Sequence, residues 1–291
     1  MSGLLTKPLN PQFVDVLVGP DGQPLRGCRP RTEAMGKAFP VYEDAFASTM
    51  RDYPRSDWDD VLEDNQSLET LVPWTHDQSS EGTCASNATA LAFEIAMAMI
   101  LGTAHAIKTS PIAVYRWIAS GPGTGSVISD NLKQIQKVGT LPVDTPANRA
   151  ILKAMGLNES HVLTHTGYYQ KFPANWQETA AHFVAVEAYE TRSFAGAVTG
   201  MFNGFALVYG RAGHAICGVV LVKSGKVYYI KYANSWGKWG EVGENGLQMF
   251  GFDSESYVTN SFPSYGAYLI RTVRLSDAML QAIVMSQALA A

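Results

Sequence analysis

With 291 residues, 46% hydrophobic and 16% charged, the chain can bury a full core and exceeds the usual single-domain size. Its 22 basic and 26 acidic residues leave a net charge of −4, too small and too dispersed to point to nucleic acid or an anionic membrane surface as partner. Three cysteines rule out a multi-disulfide framework and favour a reducing compartment.

The start, Met1 to Pro11, has neither a basic run before a long apolar stretch nor a small-residue cleavage site. No secretory signal is read there, and the protein is expected in the cytoplasm or built into a larger assembly such as a phage particle. No stretch reaches the roughly 20 apolar residues that a membrane-spanning helix needs. Residues 1–52 form an N-terminal extension whose prolines and glycines break any long helix. Phe13-Val14-Asp15-Val16-Leu17-Val18 before the turn Gly19-Pro20-Asp21-Gly22 suggests a hairpin arm, with docking ranked above self-inhibition as its role. Cys28 has basic neighbours, Arg26 and Arg29, but no base is identified for it.

Cys84 opens an alanine- and methionine-rich run, Ala85 to Leu101, free of proline and glycine and stopped by Gly102. The spacing predicts a helix that places the thiol at its positive end. Gln78 lies six residues before Cys84. Further on, Gly213-His214-Ala215-Ile216-Cys217-Gly218-Val219-Val220-Leu221-Val222 is predicted as a buried strand, Lys223 to Lys226 as a turn, and Val227 to Ala233 as the returning strand. His214 and Asn234 then sit side by side at the hairpin's open end. Alternation puts Cys217 on the other strand face, in the core. Ser276 as N-cap, with Met279, Leu280, Ile283, Val284 and Ala288 at helical spacing, predicts a terminal helix within 271–291.

A thiol with an ordinary pKa near ~8.5 needs a helix N-terminus or a paired imidazolium to become a nucleophile at neutral pH. Cys84, His214, Asn234 and Gln78 supply nucleophile, base, orienting carbonyl and oxyanion donor, the last joined by the Cys84 N–H. A catalytic metal is not expected: of His76, His105, His161, His165 and His182, His161 and His165 have i, i+4 spacing, but no accompanying carboxylate or thiol pattern. No cofactor is expected either.

These blocks resemble the papain-like cysteine peptidase family: Gln78 to Cys84, His214-Ala215 at a strand start, and Asn234-Ser235-Trp236-Gly237 followed by Trp239-Gly240 and Gly243-Glu244-Asn245-Gly246. The resemblance covers roughly residues 53–270. It implies an α+β fold of two lobes, helical over about 53–170 and an antiparallel β-barrel lobe over about 171–270. It also implies that Gly125 and Ser126 bind the substrate backbone and that the Trp236 indole shields the His–Asn bond. Glu81 and Ala85 depart from the family, which has a cysteine and a tryptophan there. The function implied is a thiol-dependent peptidase or amidase acting on a peptide or protein. The alternatives are a transferase using an amine acceptor, or a non-catalytic subunit held in an assembly through residues 1–52 and 276–291.

Overall fold

The computed structural model describes residues 27–283, apart from 37, 64–66, 80, 158–162, 165, 186, 272 and 279. The hairpin expected at 13–22, the His161/His165 pair, and Met279, Val284 and Ala288 lie outside the described residues.

Ten helices are named among the described residues: α1 (Glu33–Gly36), α2 (Tyr42–Phe46), α3 (Trp58–Glu63), α4 (Cys84–Leu101), α5 (Pro111–Ile118), α6 (Ile128–Lys137), α7 (Pro146–Ala154), α8 (Trp176–Ala180), α9 (Phe194–Phe202) and α10 (Glu255–Tyr265). The strands are β1 (Phe183–Ala185), β2 (Ala188–Glu190), β3 (Ala206–Arg211), β4 (His214–Ser224), β5 (Val227–Ala233), β6 (Glu241–Val242), β7 (Gln248–Ser254), β8 (Ala267–Ile270) and β9 (Val273–Leu275). Seven of them form one antiparallel sheet in the order β2-β8-β3-β4-β5-β7-β6, and β1 pairs with β9.

Helix α4 is the axle of the molecule. Its sequence is helix-favouring and apolar around its whole circumference, so it is buried on all sides instead of presenting one stripe. Fifteen of its 18 residues are buried, which accounts for a helix apolar enough to cross a membrane being a core element. One side packs on the inner face of the sheet, where Leu91 and Ile95 join Val208, Cys217, Val219 and Phe250. The other side, through Phe93 and Met97, packs on Val114, Ile135 and Leu152 of the neighbouring helices.

The sheet's outer face is covered by α9, α10 and the segment before α4: Tyr53, Trp58 and Leu62 pack with Phe194, Phe202, Leu221 and Ile230. Helix α3 therefore joins the β side although chain order groups it with the helices. The chain's other end crosses the opposite way. Val273, Ala282 and Ile283 pack with Phe93 and Phe183 on the helical side, which supports the expected terminal helix over its described part. The Ser276 hydroxyl meets His182 Nδ1 at 2.7 Å.

The β4–β5 hairpin runs two residues further than predicted. Ser224 pairs with Val227, leaving only Gly225 and Lys226 to turn, and Gly225 takes the left-handed conformation (φ +60°) that glycine adopts without steric cost.

Candidate active site

The site forms where the start of α4 meets the open end of the β4–β5 hairpin. Cys84 is the first residue of α4, preceded by Thr83, whose side chain makes no capping bond to the helix. The first backbone N–H groups are thus left directed at the thiol. Those of Cys84, Ala85 and, from β4, Ala215 draw its pKa down, but burial is the larger effect and the thiol is pushed up to about 12.

Across the cleft, His214 Nε2 lies 2.8 Å from Asn234 Oδ1, which also accepts the Ser235 N–H at 2.8 Å. Two residues 20 apart in sequence meet because β4 and β5 are antiparallel and Asn234 follows the last β5 residue. The tilted indole of Trp236 lies 4.8 Å from the His214 ring, centroid to centroid, and covers it. Among the described residues, the buried His214 Nδ1 has no hydrogen-bond partner. Burial, offset in part by the Asn234 bond and reinforced by the nearby Arg211 charge, brings His214 down to about 3. In this closed arrangement burial favours the neutral thiol and the neutral imidazole over their charged forms. The cause is desolvation, which disfavours both charged forms.

Gln78 is fully buried, with both ends of its amide held. Its Oε1 accepts the Ser235 hydroxyl at 2.6 Å, and its Nε2 donates to the Glu81 carbonyl at 2.9 Å. An amide carries two N–H bonds, so one remains for a ligand. The Gln78 N–H donates to Ser235 O at 2.8 Å, which ties the turn before α4 to the end of the hairpin.

Gly125 and Ser126 reach the cleft from the opposite wall. The Gly125 N–H donates to the Tyr115 hydroxyl at 3.0 Å, while the Ser126 backbone pairs with an extended segment. That segment is the chain's own: Ser126 N–H donates to Gly27 O at 2.9 Å, Arg29 N–H to Ser126 O at 3.0 Å, and Cys28 N–H to Gly213 O at 2.8 Å. A Cβ on Gly27 would lie 2.6 Å from Cys84 Sγ and 3.1 Å from the Gly82 backbone carbon. Gly27 therefore lies directly over the thiol, and Cys84 is 0% exposed. Arg31 secures the segment through Glu190 Oε1 at 2.6 Å and the Tyr268 hydroxyl at 3.2 Å. Nothing in the sequence marked residues 27–31 as cleft residues, because over the thiol the chain pairs through the backbone groups of residues 27–29 and a missing side chain at Gly27. All three cysteines are free and buried, and burial together with the neighbouring Cys84 thiol holds Cys28 well above the ordinary thiol value.

A second group invisible to motif reading is His76. Its Nε2 lies 2.6 Å from Glu94 Oε2, its Nδ1 3.2 Å from Asn87 Oδ1, and its carbonyl accepts the Gly237 N–H at 2.9 Å. Trp74 Nε1 donates to Glu94 Oε2 at 2.7 Å, and the Thr109 N–H and hydroxyl donate to Oε1. The signal was present: Glu94 is the one charged residue in an 18-residue apolar helix, and a buried carboxylate requires partners. This network pins the chain leading to Gln78 onto α4.

No protein-family model and no curated protein matches this sequence. Solved structures do. The chain is similar to xylellain, a cysteine protease from Xylella fastidiosa (15% identity, TM-score 0.52, 93% of this chain and 100% of that one). It is similar also to digestive procathepsin L2 proteinase of Tenebrio molitor (14%, TM-score 0.58, 85% and 78%) and to procathepsin B S9 of Trypanosoma congolense (13%, TM-score 0.53, 91% and 95%). The fold is α+β and is that of the papain-like cysteine proteases.

Proposed function

We propose that the protein is a thiol-dependent hydrolase of peptide or amide bonds, kept latent by its own residues 27–31. The observation that carries this reading is the 2.8 Å bond from His214 Nε2 to Asn234 Oδ1, with Nδ1 left unpartnered among the described residues, beside the helix that starts at Cys84. A scaffold has no need of an oriented imidazole with its other nitrogen unused.

Once the cleft opens and water returns, His214 Nδ1 takes the Cys84 proton and the thiolate adds to the substrate carbonyl. The free Gln78 N–H and the Cys84 N–H receive the developing oxyanion. His214 then passes the proton to the leaving amine as the C–N bond breaks. The thioester left on Cys84 is hydrolysed by water, and His214 is the base for that step. Asn234 holds the ring's orientation throughout, Trp236 keeps water from their bond, and the Ser126 backbone receives the substrate chain. The Gly27 carbonyl is bonded to Ser126 N–H, so it is not offered to the oxyanion donors. Residues 27–29 occupy the Ser126 edge and cover the thiol, and so act as a plug.

The closed cleft also suits a non-catalytic subunit, with the tails docking in an assembly, and one experiment separates the two. Iodoacetamide labelling of Cys84 is followed by mass spectrometry in the wild type, Gly27→Val and Gly27→Val/His214→Ala. A latent hydrolase gives labelling that rises with Gly27→Val and falls again without His214. Labelling absent or independent of His214 in all three would sink the hydrolase reading.

A further inference from the structure

Glu81 closes the turn that begins at Gln78, and both its main chain and its side chain are engaged. Its N–H donates to Gln78 O at 3.1 Å, and its carbonyl accepts Gln78 Nε2 at 2.9 Å. The carboxylate points away from that turn: Oε1 accepts the N–H of Gly167 at 2.9 Å and of Tyr168 at 3.3 Å, 86 and 87 residues further along the chain. Tyr168 continues the connection. Its ring stacks edge-on against Tyr115 with centroids 5.8 Å apart, and the Tyr115 hydroxyl accepts the Gly125 N–H at 3.0 Å, next to the Ser126 edge. Gly82 packs closely on Gly123, where a Cβ on Gly82 would come 3.0 Å from the Gly123 backbone.

We propose that Glu81 is a positioning residue for the oxyanion donor: its carboxylate staples the Gln78–Glu81 turn to the 167–168 segment, holding the Gln78 amide in register with the Ser126 edge. The inference rests on the hydrolase reading above. One oxygen gathering two N–H groups suits a carboxylate, and Oε2 is buried without a partner among the described residues, so the side chain is committed to this contact instead of being solvated. Ser235 anchors the Gln78 end of the turn, and the carboxylate anchors the Glu81 end, whose carbonyl orients Gln78 Nε2.

The test uses the full-length chain and two reagents for the same thiol. p-Nitrophenyl acetate acylates Cys84 through a tetrahedral oxyanion; iodoacetamide alkylates it without one. Both need the same opening of residues 27–31, so the ratio of their second-order rate constants cancels that step. Glu81→Ala is expected to lower the acylation-to-alkylation ratio about 10- to 100-fold, less than the roughly 10²- to 10³-fold expected of Gln78→Ala. Glu81→Ala added to Gln78→Ala should cost nothing more, because the two act as a unit. Glu81→Gln keeps an acceptor oxygen and should restore most of the ratio. An unchanged ratio in a folded Glu81→Ala, or full additivity with Gln78→Ala, overturns the assignment. Should Glu81→Ala fail to fold, a Glu81→Gln ratio as low as that of Gln78→Ala overturns it equally. Failure of the hydrolase reading looks different: both reagents would lose their dependence on His214.

Discussion

The two walls of the cleft are held by different physics. His214 starts β4 and Asn234 follows β5, central strands whose ladder and apolar faces leave little freedom of register; slipping by one residue would exchange the side chains that face α4 with those that face α9 and α10. Gln78 and the turn to Cys84 have no ladder. They are held by particular polar bonds, to Ser235, Glu81, Gly167 and, through His76, to Glu94. The contrast teaches that on the sheet side a single polar substitution should disturb chemistry or stability while leaving the geometry in place. On the turn side it should loosen the geometry itself.

The largest expected effect is on the sheet side. Replacing His214 by Ala should reduce acyl-enzyme formation on the order of 10⁶-fold, as for a nucleophile–base unit, with the thermal midpoint little changed; mass spectrometry of the acetylated protein reads it. The outer face of the same sheet holds Arg211, tied to Asp253 Oδ1 at 2.7 Å and to the Tyr232 hydroxyl at 2.9 Å, all buried. Asp253→Ala leaves that guanidinium without its counter-charge and should cost about 3–5 kcal/mol in urea unfolding. A loss below ~1 kcal/mol would mean that water reaches the pair. On the turn side, Gln78→Ala should slow acylation about 10²- to 10³-fold without affecting alkylation, and equal losses in both would show that the amide only supports the fold.

Smaller effects concern the plug that bridges both walls. Gly27→Val places carbon atoms where Cys84 Sγ and Gly82 already lie, an overpacking of about 1–3 kcal/mol, so Cys84 labelling should rise roughly 10- to 100-fold. The smallest is a pH effect with a fixed sign. In the closed form His214 titrates at about 3, against an ordinary value of about 6.5 in water. As pH falls below 6.5 the open form takes up a proton that the closed form refuses, so closure weakens. At pH 5.5 the open population should be about tenfold larger than at pH 7.5. The thiol acts in the opposite direction of pH: held at about 12 when closed, it favours opening above about 8.5. Closure is therefore strongest between these limits, and protection of Cys84 from a neutral alkylating agent should peak there. A protection profile that only falls as pH rises from 5 to 8 would contradict the linkage to His214.

How much of this was legible followed the same division. Helix α4 was predicted within one residue and the β4–β5 hairpin within two, because α4's composition and the two strands' apolar runs are local signals that burial reinforces. That His214 and Asn234 fall at the hairpin's open end was legible for the same reason, whereas the two-residue turn and the irregularity between Gly218 and Val220 that set the register were not. The role of Glu94 was written in the chain but needed a question about burial to be seen. The plug at Gly27, the Glu81 contact across 86 residues and the packing of α3 on the sheet had no local signal.

By itself, then, the sequence determined the helix that presents Cys84, the hairpin that presents His214 and Asn234, and the order of chemical groups between them, all set by short-range propensity and periodicity. Only the tertiary structure decided what covers the thiol, which charge state the closed pair adopts and what holds the Gln78 turn. Those depend on backbone groups, desolvation and contacts between distant segments, which residue identity along the chain does not encode locally.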